Sequence, residues 1–570
     1  MKGFSNTVFG LGWLAILAFL QVSLLYRHVV QVHGAMTVVT NATPSLYLTA
    51  VEPRDFGAIV LSNLSNPSFD SNVAEWWPRA VIFAHTDDEV QQAVLDCIQH
   101  NWTVQVRAGR HGYLAWLPES RHQQRQPAPP PFCIIDVSNV SSVAFVPGSG
   151  GLFVVGAGVR QFELYTTLND RGFGFPGGTC PTVGIGGFAL GGGFGYWSRA
   201  WGLTSDNIEA VTVVLVRGRD DVTLVTANTT HHPELLWACR GGGSNLAGVV
   251  TSLTIRAYPR PTMVTHWRLN FPRSSCCSHV LPLYGEVGPE SSRKLALQLV
   301  IYSGSCSIVA VGMDLHPSQL YDSMQGDRFS AIPGALPTSP IRSYSWMEAI
   351  DEFAGCKNIS NPNRCWRDQF ANDWPNPAVH GIWNAMSIYF PWGWSAEKAS
   401  ANVTESLCEF VTSANEGKSN IAFSRQPASM PDALEPGIDQ ANHFGGPEQP
   451  FILAMLDTYG GKVNDPTSNA TAFPHRNMSF HVQLLAYSDA TQVHRTQALL
   501  HQGLEAFDHA AKSGSASDFS SSSYRNYPNA LLPFALRRYF GAVNLARLRS
   551  IKEQYDPLRV FRQAQDPGGR

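Results

Sequence analysis

The spacing of apolar residues near the start of the chain predicts a strand, a helix and a second strand in close succession. Residues 80–85 are an apolar run typical of a buried strand, and residues 86–89 (TDDE) have the composition of a helix capping box. The apolar residues that then fall on one helical face are Val90, Ala93, Val94 and Cys97. Residues 103–107 read as the next strand. This order predicts a βαβ unit that ends in a loop over residues 107–113.

The pattern changes at about residue 260. Before it, short apolar runs predict further strands at residues 133–137, 144–146, 153–156, 211–217 and 249–258. Between about 260 and 510, strand-like runs alternate with helical stretches such as residues 490–509. The strand-like runs of this part are residues 297–302, 387–390 and 480–486. We therefore expect a second domain built from an antiparallel sheet covered by helices, and a last helix near residues 544–555.

Residues 177–195 read GGTCPTVGIGGFALGGGFG and carry most of the functional information. Glycine at this density lets the backbone approach a flat or charged ligand closely, because no Cβ atoms intervene and positive φ is allowed. Consecutive backbone N–H groups in such a loop can also bind an anion. The interleaved Cys, Val, Ile, Phe and Leu disfavour a flexible linker, which would be rich in Ser and Asn.

The same segment has the residue types of a dinucleotide-binding fingerprint but lacks the strand that should precede it. Gly184, Gly186 and Ala189 satisfy G-x-G-x-x-A, and Asp206 lies at a suitable distance for a ribose contact. A Rossmann site, however, needs an apolar strand directly before the first glycine, and residues 172–181 read as loop. We therefore reject a dinucleotide Rossmann site, and the absence of a GK[ST] ending also excludes a P-loop.

Five ordered motifs resemble the berberine-bridge-enzyme-like FAD-linked oxidases of the vanillyl-alcohol-oxidase fold. The first is VQVRAGRHGY (104–113), and the second continues the glycine-rich segment through YWSRAWGLTSDNIEAVTVV. The third is PELLWACRGGGSNLAGVVTSLTIRAYP (233–259). The fourth is YGGKVN followed by TAFPHR (459–476), which resembles a substrate-domain hairpin. The last is YRNYPNA followed by YFGAVNLARLRSIKEQYDPLRVFR (524–562).

This resemblance implies an α+β fold: a two-part FAD-binding domain of the PCMH type, with a separate substrate domain of antiparallel sheet covered by helices. The expected boundaries are 55–259 for the FAD-binding domain and 260–510 for the substrate domain. Residues 520–565 are expected to return to the FAD domain, and residues 1–35 to be a signal peptide or signal anchor.

The resemblance also implies site residues. His111 would attach to the flavin 8α-methyl and Cys180 to C6, although a loop histidine or a disulfide cysteine remains the alternative for each. Tyr524 would be the catalytic base, with its pKa lowered by Tyr527 or Tyr113, unless these tyrosines only pack beside Asn526. The other expected cofactor-binding residues are Arg107, Gly109, Val183, Gly184, Gly186, Gly187, Gly191, Gly192, Gly193 and Asn526. In addition, Gln483 and Leu485 would line the substrate pocket from one face of a strand.

Composition narrows the class of protein. The formal net charge is −3, only 15% of residues are charged, and no basic stretch suggests nucleic acid. No Cys/His spacing suggests zinc, so no metal is expected. Beyond Cys180, Cys239 lies in an apolar strand-like run and reads as a buried free thiol. Cys356 and Cys365 are able to close a short loop, while the pairing of the other cysteines stays open.

Several features favour export. Residues 8–26 are an apolar run typical of a secretory signal or anchor, so a membrane is a partner only if this segment is retained. Ten cysteines fit an oxidising compartment. N-x-[ST] sequons occur at Asn41, Asn63, Asn101, Asn139, Asn228, Asn358, Asn402, Asn469 and Asn477.

The expected function is a secreted FAD-dependent oxidase that moves a hydride from a substrate C–H to flavin, with oxygen as acceptor and peroxide released. The small-molecule substrate would be an alcohol, a sugar or a secondary metabolite. The alternatives are an FAD-linked dehydrogenase that uses an organic acceptor and an inert glycan-binding member of the same fold.

Overall fold

The computed structural model describes residues 47–48, 78–109, 111–112, 131–302, 305–354, 382–391, 451–488, 498–504, 522–529, 532–563 and 565–568. The expected leader, Tyr113 and the Cys356–Cys365 pair lie outside these residues.

The described residues form strands and α-helices, which are numbered separately in chain order. The strands are β1 (Tyr47–Leu48), β2 (Ala80–Phe83), β3 (Thr103–Arg107), β4 (Phe132–Asp136), β5 (Val143–Phe145), β6 (Leu152–Gly156), β7 (Phe173–Gly174), β8 (Ile208–Gly218), β9 (Asp221–Ala227), β10 (Val249–Arg256), β11 (Tyr258–Pro259), β12 (Val264–Pro272), β13 (Leu295–Ile301), β14 (Ser305–Met313), β15 (Leu336–Pro337), β16 (Arg342–Tyr344), β17 (Ile382–Pro391), β18 (Phe451–Thr458) and β19 (Met478–Ser488). The α-helices are α1 (Asp87–Gln99), α2 (Gln161–Asn169), α3 (Ile185–Leu190), α4 (Ser198–Trp201), α5 (Pro233–Cys239), α6 (Arg273–Ser275), α7 (Leu281–Glu290), α8 (Pro317–Ser323), α9 (Gly326–Ser330), α10 (Trp346–Phe353) and α11 (Ala535–Tyr555). Residues 498–504 are also helical.

The first sheet has the order β1-β2-β4-β3, with β2, β4 and β3 parallel. The predicted βαβ unit is present, but β4 lies between its two strands. The helix start is as expected: Thr86 Oγ1 accepts the Glu89 N–H at 3.2 Å, while the Glu89 carboxylate accepts the N–H of His85 rather than that of Thr86. The four apolar residues predicted on one face of α1 are all buried, and a Cys97–Cys133 disulfide joins α1 to β4.

The second sheet is antiparallel, with the order β5-β6-β10-β8-β9. Next to it, the apolar run that ends at Cys239 is helix α5, so the strand-like interpretation of this run was wrong. Pro233 at the helix start and Glu234 in its first turn favour a helix, and the five residues that follow, 235–239, are all buried. The expectation that Cys239 is a buried free thiol is confirmed.

The third large sheet is antiparallel, with the order β15-β12-β14-β13-β18-β19-β17, and β16 also pairs with β12. One face of the sheet carries apolar residues such as Leu299, Leu456 and Val482, which share a core with α7, α8 and α10. The hydroxyl of Tyr284 on α7 donates to the carbonyl of Leu456 at 2.6 Å, which fixes the helix on the sheet. The predicted fold class, α+β with a helix-covered antiparallel sheet, is confirmed.

The end of the chain returns to the first sheet. Helix α11 is kinked at Gly541, which has a φ of 65°, and buries the predicted stripe of Leu545, Leu548 and Tyr555. Beyond it, Phe561 forms a parallel bridge with Val104 of β3 and lies in the same core as α1. Residues far apart in sequence therefore meet near the start of β3.

A second disulfide joins Cys276 to Cys306, and Cys277 is also disulfide-bonded. Among the described residues, no helix is long and apolar enough to cross a membrane.

A buried ion pair fastens the loop after the glycine-rich segment to the β18–β19 hairpin. Arg476 and Asp206 form two N–H···O contacts at 2.5 and 2.9 Å. Arg476 also donates to the carbonyl of Val463 and the hydroxyl of Thr471. Its side chain is 2% exposed, so water does not replace these contacts. Because this pair occupies its carboxylate, Asp206 is not placed as a ribose ligand, in agreement with the rejection of a Rossmann site.

Replacing Asp206 with Asn should strongly destabilise the fold, because it leaves the buried Arg476 charge without its carboxylate. We expect a loss of about 3 kcal/mol in the free energy of unfolding, measured by denaturant titration. The matched control is Asp465→Asn, which breaks the exposed Arg293–Asp465 pair and should cost less than about 1 kcal/mol. Equal losses in the two variants would show that the Asp206–Arg476 pair is not a buried anchor.

Candidate active site

Two loops that the sequence singled out cross each other at a pair of glycines. The Cα atoms of Gly109 and Gly184 lie so close that a Cβ on Gly109 would be 2.1 Å from the amide nitrogen of Gly184. A Cβ on Gly184 would likewise be 2.5 Å from the amide nitrogen of Gly109. Neither position accepts a side chain unless one backbone moves. The crossing therefore brings the loop of His111 against the loop of Cys180.

The strand before the first loop is fixed at its end. Arg107, the last residue of β3, pairs through Nε with the fully buried carboxylate of Asp136 at 2.5 Å. The carbonyl of Arg107 also accepts the N–H of Val137. The first loop therefore starts from a fixed point on the parallel sheet.

His111 contacts the second loop directly. Its Nε2 lies 2.7 Å from the hydroxyl of Thr182. Burial, together with the positive charge of Arg160, lowers the pKa of His111 to about 4. The imidazole is therefore neutral at physiological pH, which is the form with a free electron pair on one ring nitrogen.

Cys180 is a free thiol whose side chain is open to the cavity described below. Because protein atoms surround that cavity, desolvation raises the pKa of the thiol, and the side chain of Thr179 acts in the opposite direction. Cys180 is not in a disulfide, so the alternative left open for it by the sequence is excluded.

The glycine-rich segment forms the short helix α3 and a tight turn after it. A Cβ on Gly187 would meet nothing within 4 Å, because this residue faces the cavity, whereas a Cβ on Gly186 would collide with the carbonyl of Ala157. Gly191, Gly192 and Gly193 lie behind the cavity wall. A Cβ on each of them would press on Asn526, on the rings of Phe473 and Tyr524, or on Thr204.

Tyr524 and Asn526 pack against the end of α3. The Tyr524 hydroxyl oxygen accepts the N–H of Gly193 at 2.8 Å and a side-chain N–H of Asn526 at 3.1 Å. Asn526 also donates to the carbonyl of Phe188 at 3.0 Å. The expected lowering of the Tyr524 pKa is wrong for this site: burial raises the pKa to about 12, while these donors favour the phenolate and limit the rise. The stabilising groups are thus Gly193 and Asn526 rather than the neighbouring Tyr527, whose ring lies 5.0 Å away.

All these groups surround one cavity of about 320 Å³. The predicted site residues in its wall are Arg107, Gly109, His111, Cys180, Val183, Gly184, Gly186, Gly187, Tyr524, Asn526 and Tyr527. The wall also contains Gly243, Ser244, Asn245 and Arg525. Much of the wall is glycine backbone, and the imidazole of His111 and the thiol of Cys180 face the cavity. This chemistry fits a flat cofactor with electrophilic ring positions, and FAD is such a cofactor.

The cavity lies between elements that match two known family models. Residues 78–220 match the model described as "FAD binding domain", and residues 523–566 match "Berberine and berberine like". Berberine bridge enzyme-like 21 of Arabidopsis thaliana is 24% identical over 535 residues, which cover 90% of this chain and 86% of the relative. The uncharacterised FAD-linked oxidoreductase YvdP of Bacillus subtilis is 25% identical over 517 residues, covering 87% of this chain and 95% of the relative. A solved structure of a chitooligosaccharide oxidase superposes with a TM-score of 0.66 at 22% identity, covering 90% of this chain and 99% of the other.

The chain is an FAD-linked oxidoreductase that resembles the berberine-bridge-enzyme-like oxidases.

The face of the large sheet opposite α7 lies beside the cavity. A row of residues crosses five neighbouring strands in register: Tyr389, His481, Asp457, Gln298 and Val309, with Arg268 on the sixth. The next row contains Ser387, Gln483, Met455, Val300, Ser307 and Asn270. This face of the sheet is therefore largely polar, in contrast to the apolar face under α7. Ser387 accepts the N–H of Tyr524 at 2.7 Å, which places this face next to the cavity wall.

Sequence reasoning missed His481 and Asp457 on this face. Their side chains lie 3.6 Å apart, and the His481 ring stacks on Tyr527 at 5.5 Å between centroids. Gln298 donates to Asp457 and accepts from Tyr196, which extends the polar chain toward the glycine-rich segment. Alternate residues of a strand lie on the same face, so the expected position of Gln483 already indicated that His481 lies beside it. The partner aspartate depends on strand pairing and had no local signal.

Proposed function

We propose that this FAD-linked oxidoreductase is an exported oxidase that removes a hydride from a hydroxyl-bearing carbon of a small molecule and reduces dioxygen to hydrogen peroxide. The observation that carries the proposal is the convergence of His111, Cys180, Val183 and Tyr524 on one cavity. The bound cofactor would supply the electron chemistry, taking the hydride and passing two electrons to dioxygen. The chain has to hold the cofactor, bind the substrate and move one proton.

The substrate is proposed to be a hydroxyl-rich small molecule such as a sugar. The sheet face next to Tyr524 presents both donors and acceptors, among them Asp457, Gln298 and His481. Such groups match an alcohol better than an apolar ring system, because a buried polar group needs a partner. A solved structure with the same fold is a chitooligosaccharide oxidase, which agrees with this class.

Tyr524 is the proposed base. Its hydroxyl oxygen already accepts two N–H groups, so a phenolate formed there would keep two donors. The same two donors hold the ring in place beside the cavity. Tyr527 is the proposed second catalytic tyrosine, because it lines the same wall and packs on Tyr524.

Export is proposed from the apolar leader, the sequons and the cysteines in disulfides. Among the described residues, Asn101, Asn139, Asn469 and Asn477 are exposed, so their side chains are accessible to a glycan. Disulfides such as Cys97–Cys133 form in an oxidising compartment.

The first expected result is flavin bound through two covalent links, one to His111 and one to Cys180. Acid-precipitated protein should retain flavin, and mass spectrometry of a tryptic digest should find it on both peptides. His111→Ala and Cys180→Ala should each keep one link and lower activity, and the double variant should release all flavin. Release of all flavin from the unchanged protein would contradict the proposal.

Tyr524→Phe should slow flavin reduction by substrate about 10²-fold or more, the range typical of a lost general base. FAD binding should persist, because the ring is kept, and stopped-flow absorbance of the flavin measures the rate. Tyr539→Phe is the matched control, since this buried hydroxyl bonds to Asn529 and Gln565 away from the cavity. A Tyr524→Phe enzyme with near-normal reduction would transfer the role to Tyr527 or another residue.

Val183→Ile should slow reoxidation of the reduced enzyme by air and leave its reduction by substrate unchanged. Val183 faces the cavity, and the added methylene would narrow the approach of dioxygen. Peroxide release and flavin absorbance follow the two half-reactions separately, and Val183→Ala should not slow either. If the unchanged protein reoxidises slowly in air but turns over quickly with a quinone, the enzyme is a dehydrogenase.

A further inference from the structure

We propose that Thr182 is a positioning residue for flavin attachment: its hydroxyl holds Nε2 of His111, so that Nδ1 is the ring nitrogen presented to the cofactor. This inference rests on the proposed attachment of flavin to His111. It adds Thr182, a residue outside the cavity wall.

The backbone around Thr182 is a fixed point. The carbonyls of Pro181 and Val183, on either side of it, accept the N–H groups of Phe162 and Gln161 at 3.1 and 3.0 Å. These two N–H groups belong to the first turn of α2, where a helix has no internal acceptors for them. Residues 181–183 are therefore fastened to the start of a helix, and Thr182 itself is buried, with 8% exposed.

The contact between Thr182 and His111 is short and involves one of the two ring nitrogens, Nε2. Its length of 2.7 Å is that of a good hydrogen bond. A neutral imidazole has one N–H and one free electron pair. The contact fits either direction of donation. In this proposal Nε2–H is the donor to the Thr182 oxygen, which places the electron pair on Nδ1 and makes Nδ1 the nucleophile.

The surroundings keep the ring in this neutral form. Burial and the positive charge of Arg160 hold the pKa of His111 near 4. A protonated imidazole has no free pair and cannot attack carbon. The Gly109–Gly184 crossing adds a second restraint, because it fixes the distance between the two loops that the hydrogen bond joins.

Attachment of His111 to the flavin removes two hydrogens and two electrons, and dioxygen is the oxidant that accepts them. One hydrogen leaves the 8α-methyl of the flavin, and one leaves the His111 ring at Nε2. A C–N bond forms between that carbon and Nδ1. Dioxygen takes up the two hydrogens as hydrogen peroxide. The Thr182 oxygen accepts from Nε2–H while Nδ1 bonds to carbon and the ring gains positive charge, and once that proton has left, the Thr182 hydroxyl donates to Nε2.

The test compares Thr182→Val with Thr182→Ser, both purified with their flavin. Thr182→Val keeps the shape but removes the hydroxyl, so the fraction of His111 peptide that carries flavin should fall at least five-fold by mass spectrometry. The link at Cys180 should remain, and FAD should still co-purify. Thr182→Ser restores the hydroxyl and should restore the link. Thr167→Val is the matched control, because the Thr167 hydroxyl bonds only to the Glu163 carbonyl within α2.

The outcomes separate this inference from the proposed function. If the unchanged protein carries no flavin on His111, the proposed double attachment is wrong and this inference falls with it. If it does and Thr182→Val carries as much, only the role of Thr182 is overturned. Should the valine variant fail to fold, Thr182→Ala removes the same hydroxyl without added bulk and must show the same loss.

Discussion

The close approach of the backbones at Gly109 and Gly184 is the constraint on which the rest of the site depends. It needs two residues without Cβ atoms on two separate loops. It holds His111 beside Thr182 and sets where both stand relative to Cys180. The glycines of this chain thus act as spacers between loops as well as bare backbone for a ligand.

The large sheet uses its two faces differently. The face under α7 is apolar and supplies stability through burial, while the other face carries the Gln298–Asp457–His481 chain and packs on Tyr524 and Tyr527. An antiparallel strand changes face at every residue. One strand such as β19 therefore contributes Val482 to the core and His481 to the site. Stability and chemistry are encoded in alternating positions of the same strands.

Local patterns predicted much of the fold. The βαβ start, the buried face of α1 and the stripe on α11 follow from periodicity and capping, which depend on neighbouring residues only. The sequence did not indicate that β4 lies between β2 and β3, because strand order depends on contacts between distant segments. Likewise α5 read as a strand, since a short run that is apolar on all sides has no period to distinguish the two.

In the site, too, the sequence indicated some residues, and only the structure showed their contacts. Glycine density and the family motifs singled out His111, Cys180 and Tyr524. Their hydrogen-bond partners came only from the structure: Thr182 for His111 and Gly193 for Tyr524. The contact between His481 and Asp457 also came only from the structure. Each of these is a contact between segments that the sequence does not relate to each other.

The position of the cavity walls along the chain has a consequence for biosynthesis. One wall comes from the end of β3 and its loop, and the opposite wall comes from residues 524–528, roughly 400 residues later. The bridge between Val104 and Phe561 then closes the first sheet with the last part of the chain. During synthesis the early segments fold while this wall has not yet been made. The cofactor chamber is therefore complete only after nearly the whole polypeptide has been made, because its two walls cannot meet before that point.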